Sequence, residues 1–269
     1  MYSLPTEPGS IGHTLDAGFK LYIVSFKRVL ALSIAAALLV SGLMLAMILA
    51  VPMFATLDEA SRNAFIVTAV IGFIVFMTLY MSFYLAALCR VGGIAYGQNL
   101  SLGACVSTGL RRIIPVILAS ILYGLAVMGG YLLFIIPGLI LSMSMMFYAL
   151  CIVLEGDGIL ESLKHSHRLV WGNWWRTAVI GTVVFVIYYV IYLAIQVPFA
   201  VVDQMVFDTE FGAVPGFGQA MLSMVGDAIA TVITFPLVIS VFVAVFHDLK
   251  LRKEGHDLDA RVEALTAGA

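Results

Sequence analysis

The stretch VLALSIAAALLVSGLMLAMILAVPMFATL, residues 29–57, holds 29 residues without one charged side chain. About 20 apolar residues cross a bilayer as a helix, so this run is long enough for a span. The pattern recurs outward from it. Uncharged runs cover 63–89, 113–154 and 177–202, and a last one, 211–246, is broken only by Asp227. Hydrophobic residues make up 62% of the 269 and charged residues 11%, too few to cover the surface of a soluble domain. The reading is an all-α integral membrane protein.

The run 113–154 is too long for one helix. Ile136-Pro137-Gly138 sits inside it, and Pro and Gly together predict a hairpin tip there. Six spans follow, near 30–55, 64–89, 113–134, 139–154, 177–200 and 218–246. Lys20, Lys27 and Arg28 precede the first. Arg90, Arg111 and Arg112 lie between the second and third, and Lys164, Arg168 and Arg176 between the fourth and fifth. Lys250, Arg252, Lys253 and Arg261 follow the sixth. With Arg62 alone on the other side, 13 of 14 basic residues share one face, which the positive-inside rule makes cytoplasmic. Both termini are then inside. The 201–217 loop, with Asp203, Asp208 and Glu210, is then outside. The N-terminal segment does not read as a cleavable signal, because its first apolar run starts only at Val29 and is too long.

A short amphipathic segment precedes each odd-numbered span. Ile11, Leu15, Phe19, Tyr22 and Phe26 form the first apolar stripe, Leu102, Val106, Gly109 and Ile113 the second, and Leu160, Leu163, Val170 and Trp174 the third. Such helices are expected in the interface plane, with basic flanks toward anionic head groups. An offset of 148 aligns Leu15 with Leu163, Lys20 with Arg168, Phe26 with Trp174 and Arg28 with Arg176. An offset of 91 aligns Leu15 with Val106, Gly18 with Gly109 and Lys20 with Arg111. The expected architecture is three hairpins, each preceded by a cytoplasmic interfacial helix, as pseudo-repeats near 10–89, 101–154 and 158–247 with a tail at 248–269.

Two stretches carry a resemblance. The first runs from Val153-Leu154-Glu155-Gly156 through Glu161-Ser162-Leu163-Lys164-His165-Ser166 to Arg168-Leu169-Val170-Trp171-Gly172-Asn173-Trp174-Trp175-Arg176. The second is Asp248-Leu249-Lys250-Leu251-Arg252-Lys253-Glu254-Gly255-His256-Asp257-Leu258. Both resemble the membrane domain of some glycerophosphoryl diester phosphodiesterases and the related YciC-like bacterial membrane proteins. The resemblance implies a bacterial inner-membrane protein of about six helices. In the fused relatives the chemistry belongs to a separate soluble domain, so no enzymatic activity carries over.

Few residues offer chemistry. Asp227 is the one ionisable residue well inside a span, nine residues past Gly218 or about 14 Å along a helix. A charge at mid-bilayer costs roughly 2.5–3.5 kcal/mol on insertion scales, so such residues usually face a cavity or a partner. A tilted sixth span kinked at Pro236 would instead put Asp227 near the outer interface, and a protonated carboxyl would need no counter-ion. Tyr188, Tyr189, Tyr192 and Gln196 on the fifth span are its candidate hydrogen-bond partners.

The candidate contacts for anionic lipid are Lys20, Arg28, Arg111, Arg112, Lys164, Arg168 and Arg176. Trp171, Trp174 and Trp175 read as an aromatic belt. Ser120 with Gly124, and Ala126 with Gly130, are small-residue pairs suited to helix packing. His165 and His167 are two apart and leave a helix on different sides, so they predict no metal site. Cys89, Cys105 and Cys151 have no disulfide or zinc spacing and read as small apolar fillers. Asp248 to Glu254 reads as a solvated helix end that Gly255 terminates. Asn99-Leu100-Ser101 matches a glycosylation acceptor but falls on the cytoplasmic side.

No paired carboxylates, Ser-His-Asp order or phosphate loop is present, so no catalytic residue and no cofactor are expected. No basic stripe interleaved with aromatics points to nucleic acid. The expected partners are membrane lipids, with a second copy or another membrane protein left open. The expected role is non-enzymatic, in envelope maintenance, scaffolding or lipid interaction. The alternative is a small transporter or channel with Asp227 in its pathway.

Overall fold

A computed structural model of the chain describes residues 4–207 and 216–267. Asp208 and Glu210 of the expected outer loop lie outside them. Among the described residues every regular element is helical. They are α1 (Ile11–Ala55), α2 (Glu59–Ala95), α3 (Leu102–Leu133), α4 (Ile135–Ser144), α5 (Tyr148–Leu150) continuing into a π-helical turn (Cys151–Glu155), α6 (Ile159–Val170), α7 (Trp174–Phe207) and α8 (Phe217–Ala267). Six stretches are long and apolar enough to cross a membrane: α1, α2, α3, the combined Ile135–Glu155, α7 and the Phe217–Lys253 part of α8. The chain is a multi-pass helical membrane protein.

Two of the expected amphipathic helices are not separate. Residues 11–26 and 102–113 are the opening turns of α1 and α3. Ser10 and Ser101 cap those helices by accepting the backbone N–H of His13 and Ala104. Nothing between cap and span stops the helix, so α1 runs 45 residues, about 68 Å at 1.5 Å each. The third segment is a discrete helix, α6. Trp171 leaves the helical region and Gly172 adopts φ 92°, a conformation that suits glycine, before α7 starts.

The expected tip at 136–138 falls instead at Phe134, whose extended backbone separates α3 from α4. Pro137 sits in the first turn of α4, where a missing N–H costs nothing. Gly138 serves packing: a methyl built on Gly130 would come within 2.9 Å of its Cα. Leu132, Leu133, Phe134, Ile135 and Ile136 around this tip are all exposed. At the other end, α8 does not stop at Gly255 but continues to Ala267. A glycine inside a helix costs only about 1 kcal/mol, and the residues beyond it are mostly strong helix formers.

The core gathers at the basic end of the bundle. Leu21, Val29, Leu85, Leu88, Val91, Val116, Phe147, Ile152, Val170, Phe246 and Leu249 are fully buried there. Toward the opposite end α2 is exposed almost throughout 59–79. An apolar cleft of about 850 Å³ lies between Leu39, Met47, Phe65 and Phe76 of α1 and α2.

Small residues set the close approaches. A methyl on Gly18 would meet Val241 Cα of α8 at 2.9 Å, and one on Gly109 would meet the Ser82 carbonyl of α2 at 2.9 Å. Gly18 and Gly109 are the pair matched by the offset of 91, and the offset of 148 puts Ser166 at the same position. Ser166 is buried in α6, donates to the Ser144 carbonyl at 2.9 Å and accepts the Phe147 N–H at 3.1 Å. It thereby satisfies the backbone groups exposed where α4 ends and α5 begins. Of the small pairs expected on α3, Gly130 makes a close contact and Gly124 meets nothing within 4 Å.

Gly109→Ala places its methyl against backbone that cannot rotate away, so it should destabilise the purified protein by about 1–3 kcal/mol. Gly72→Ala, in open space, should leave the unfolding temperature in detergent unchanged or slightly raised. Equal effects of the two substitutions would contradict this packing.

Candidate functional site

Among the described residues polar groups gather in a carboxylate network at the basic end, on the exposed face of α6, around Asp227, and where Cys151 and Asp157 approach His165.

At the basic end Asp248 is buried, not solvated. Its Oδ2 accepts from Arg176 Nε at 3.2 Å and Nη2 at 3.0 Å, and from Arg252 Nε at 3.0 Å. Its Oδ1 accepts the Gly9 N–H at 2.9 Å. Arg176 Nη2 also donates to the Gly9 carbonyl at 2.9 Å and to Thr14 Oγ1 at 2.8 Å. The Arg176 side chain is only 16% exposed, so its donors are spent inside the protein and it leaves the expected lipid-contact set. Nearby, His247 Nε2 bonds the Pro5 carbonyl at 2.9 Å, and Leu4 is buried. The segment before α1 is thus fastened across the end of α8.

The other basic residues divide. Lys20 pairs with Asp16 at 2.7 Å, in an exposed contact one helical turn apart. Arg28 donates to Asn99 Oδ1 at 3.1 Å, and its carbonyl accepts from Arg90 Nε at 2.8 Å. Arg111 is exposed, and Arg112 is half-buried with its guanidinium over Gly156. On α6, Lys164 and Arg168 are exposed beside Leu160, Glu161 and His167, around a surface depression of about 610 Å³. His167 Nδ1 on α6 and Trp174 Nε1 at the start of α7 are buried without a protein partner. Trp171 and Trp175 stand exposed at this end, and Trp174 packs edge-on to Trp175.

Asp227 lies on α8 facing α7. Its Oδ1 accepts from the Tyr192 hydroxyl at 3.1 Å and from Gln196 Nε2, which also donates to the Tyr192 oxygen at 3.0 Å. Two of the four expected partners are therefore engaged. Tyr188 lines the same cavity, while Tyr189 is half exposed. The cavity holds about 270 Å³ between α1, α7 and α8, and Ser41, Tyr188, Tyr192, Asp227 and Thr231 are its polar lining. It is roomy enough for several waters, each of which takes about 30 Å³ in the liquid.

Sequence reasoning missed Asp248, whose charge-rich surroundings look like a solvated end. It also missed that Cys151 and Asp157 approach His165.

A helical protein with six stretches able to span a membrane, a polar clamp at one end and Asp227 between the last two of them defines a class without naming a role. The chain belongs to the family described as Domain of unknown function (DUF7847), whose model matches residues 11–249. Comparison with curated proteins and with solved structures finds no match. The family match carries no link to the phosphodiesterase membrane domains.

Asp248→Asn should leave two largely buried guanidinium groups without their counter-charge. The expected loss is about 3–5 kcal/mol, read as a lower unfolding temperature in detergent. Asp16→Asn, which breaks only the exposed pair with Lys20, should cost under about 1 kcal/mol. Equal, small effects would show that the clamp does not hold the fold.

Proposed function

We propose that this is a non-enzymatic protein of a bacterial inner membrane that binds anionic lipid at its basic end, serving envelope maintenance or scaffolding. The observation that carries the reading is the exposed face of α6. Lys164 and Arg168 border a depression that also exposes Leu160, with exposed Trp171 and Trp175 close by in the chain. Indoles favour the head-group region, and each nearby Lys or Arg adds about 1 kcal/mol of attraction to an anionic surface. His167 lines the same depression. Lys20 and Arg111 extend the exposed basic set along α1 and α3.

Replacing Lys20, Arg111 and Arg168 together by Gln should lower the anionic lipid co-purifying with the protein by about tenfold or more. An unchanged lipid profile in a folded triple variant would refute the reading. Orientation is checked separately. A reporter active only in the cytoplasm should work when fused after Ala269 and fail when inserted at 56–58, and the reverse would overturn the positive-inside assignment.

The cavity at Asp227 supports a second reading, proton or cation movement between α1, α7 and α8. The two readings part at Asp227→Asn, which keeps size and hydrogen bonding but cannot titrate. Under the lipid-binding reading this variant folds and complements a deletion strain fully. A stable, inserted Asn variant that fails to complement would move the assignment to transport.

A further inference from the structure

We propose that Cys151, Asp157 and His165 form a site for a divalent transition ion of the zinc class, at the junction between the fourth span and α6. The Sγ of Cys151, a carboxylate oxygen of Asp157 and a ring nitrogen of His165 all lie within 4.8 Å of one another. The fold brings them together in steps that residue spacing does not show. The π-helical turn Cys151–Glu155 widens the end of the span, and Gly156 at φ 82° reverses the chain. The Asp157 N–H then donates back to the Cys151 carbonyl at 3.2 Å. Next, α6 returns alongside and puts His165 Nδ1 at 2.6 Å from Asp157 Oδ2. Wide helical turns of this kind occur often at functional sites.

The donor set selects the ion. One sulfur, one imidazole nitrogen and one carboxylate oxygen suit Zn²⁺ and its neighbours, whereas calcium and magnesium take oxygen. A tetrahedral shell with bonds of about 2.0–2.3 Å puts ligand atoms about 3.3–3.7 Å apart. From their 2.6 Å contact, Asp157 and His165 would therefore separate by about 0.7–1.1 Å, and Cys151 would turn inward. Cys151 is fully buried, while the Asp157 and His165 side chains are 15% and 26% exposed. Ion entry and a fourth ligand from water come from their side.

The same three residue types also make a nucleophilic triad. The sealed thiol of Cys151 excludes that chemistry, because no substrate carbonyl can reach it. The neighbouring charges are Glu155, paired with Lys250 at 2.7 Å, and the Arg112 guanidinium over Gly156. On binding, the thiol gives its proton to solvent and the Nδ1–H···Oδ2 hydrogen bond is replaced by two bonds to the ion. Affinity therefore falls as pH falls.

The test uses the full chain purified in detergent, stripped with a chelator and titrated with Co²⁺. The expected result is one ion per chain and a thiolate-to-cobalt charge-transfer absorption that Zn²⁺ abolishes. Cys151→Ser should lose that absorption. His165→Gln, on a partly exposed side chain, should weaken binding by about tenfold or more while the variant keeps its unfolding temperature in detergent. Cys89 and Cys105 are present in every variant, so the difference reports Cys151 alone. Absence of stoichiometric binding, or an absorption that survives in Cys151→Ser or full affinity in His165→Gln, would overturn the site.

Discussion

The carboxylate of Asp248 is the contact on which the arrangement at the basic end depends. It accepts from two guanidinium groups and from a backbone N–H, so its charge is compensated and its lone pairs are used. Such a group is costly to bury alone and tolerable only with its partners in place. Its partners come from α7, from the continuation of α8 and from the residues before α1. One side chain therefore ties the first, fifth and sixth spans at a single point. The most extensive helix contact in the protein, α1 on α8, lies directly beneath it, with Gly18 allowing the two backbones to meet.

That closure gives the helices a cyclic order. Successive spans pack in pairs, α1 with α2, α3 with α4 and α7 with α8. Between pairs, the opening turns of α1 meet α8, those of α3 meet α2, and α6 meets the end of α4. Each opening segment thus rests on the second span of the pair before it, and the first rests on the last. Gly18, Gly109 and Ser166, which the sequence offsets of 91 and 148 align, make these three contacts. The third seam uses a hydroxyl where the others use glycine. There the partner backbone is interrupted at 145–147, and an interrupted backbone in a membrane protein needs hydrogen-bond partners.

Much of this was legible in the chain. Charge-free runs give the span count because the cost of charge in hydrocarbon is local and additive along a helix. The partners of Asp227 were readable too, since Tyr192 and Gln196 are one turn apart on one face and the fifth and sixth spans are neighbours. Contacts that need two distant turns to cooperate were not. Arg176 sits at the mouth of a span, where an arginine normally faces head groups. Only the return of the chain at Gly9 and the length of α8 turn it inward. Cys151 and His165 are brought together by a widened turn and a left-handed glycine, and neither leaves a periodic trace. The tip at Phe134 shifted from Pro137 because proline is as well suited to a first helical turn as to a loop.

The bundle is stabilised unevenly, and the cause lies in its solvent. Between helices surrounded by lipid, apolar contact adds little, because acyl chains are as apolar as leucine. Order then comes from close packing of small residues and from hydrogen bonds. Gly18, Gly109, Ser166 and the Asp248 clamp supply both at the basic end. At the opposite end α2 is exposed over most of its outer half, and a large apolar cleft separates it from α1. Besides Gln219 donating to Asp203 Oδ2 at 3.1 Å, the hydrogen-bonded trio of Asp227, Tyr192 and Gln196 is a polar contact between the last two spans away from the clamp. It joins α7 to α8 beside a cavity bordered by α1, between the tightly packed end and the open one. There the hydrogen bonds from Tyr192 and Gln196, with Gly226 letting the backbone approach Phe199, join the last two spans.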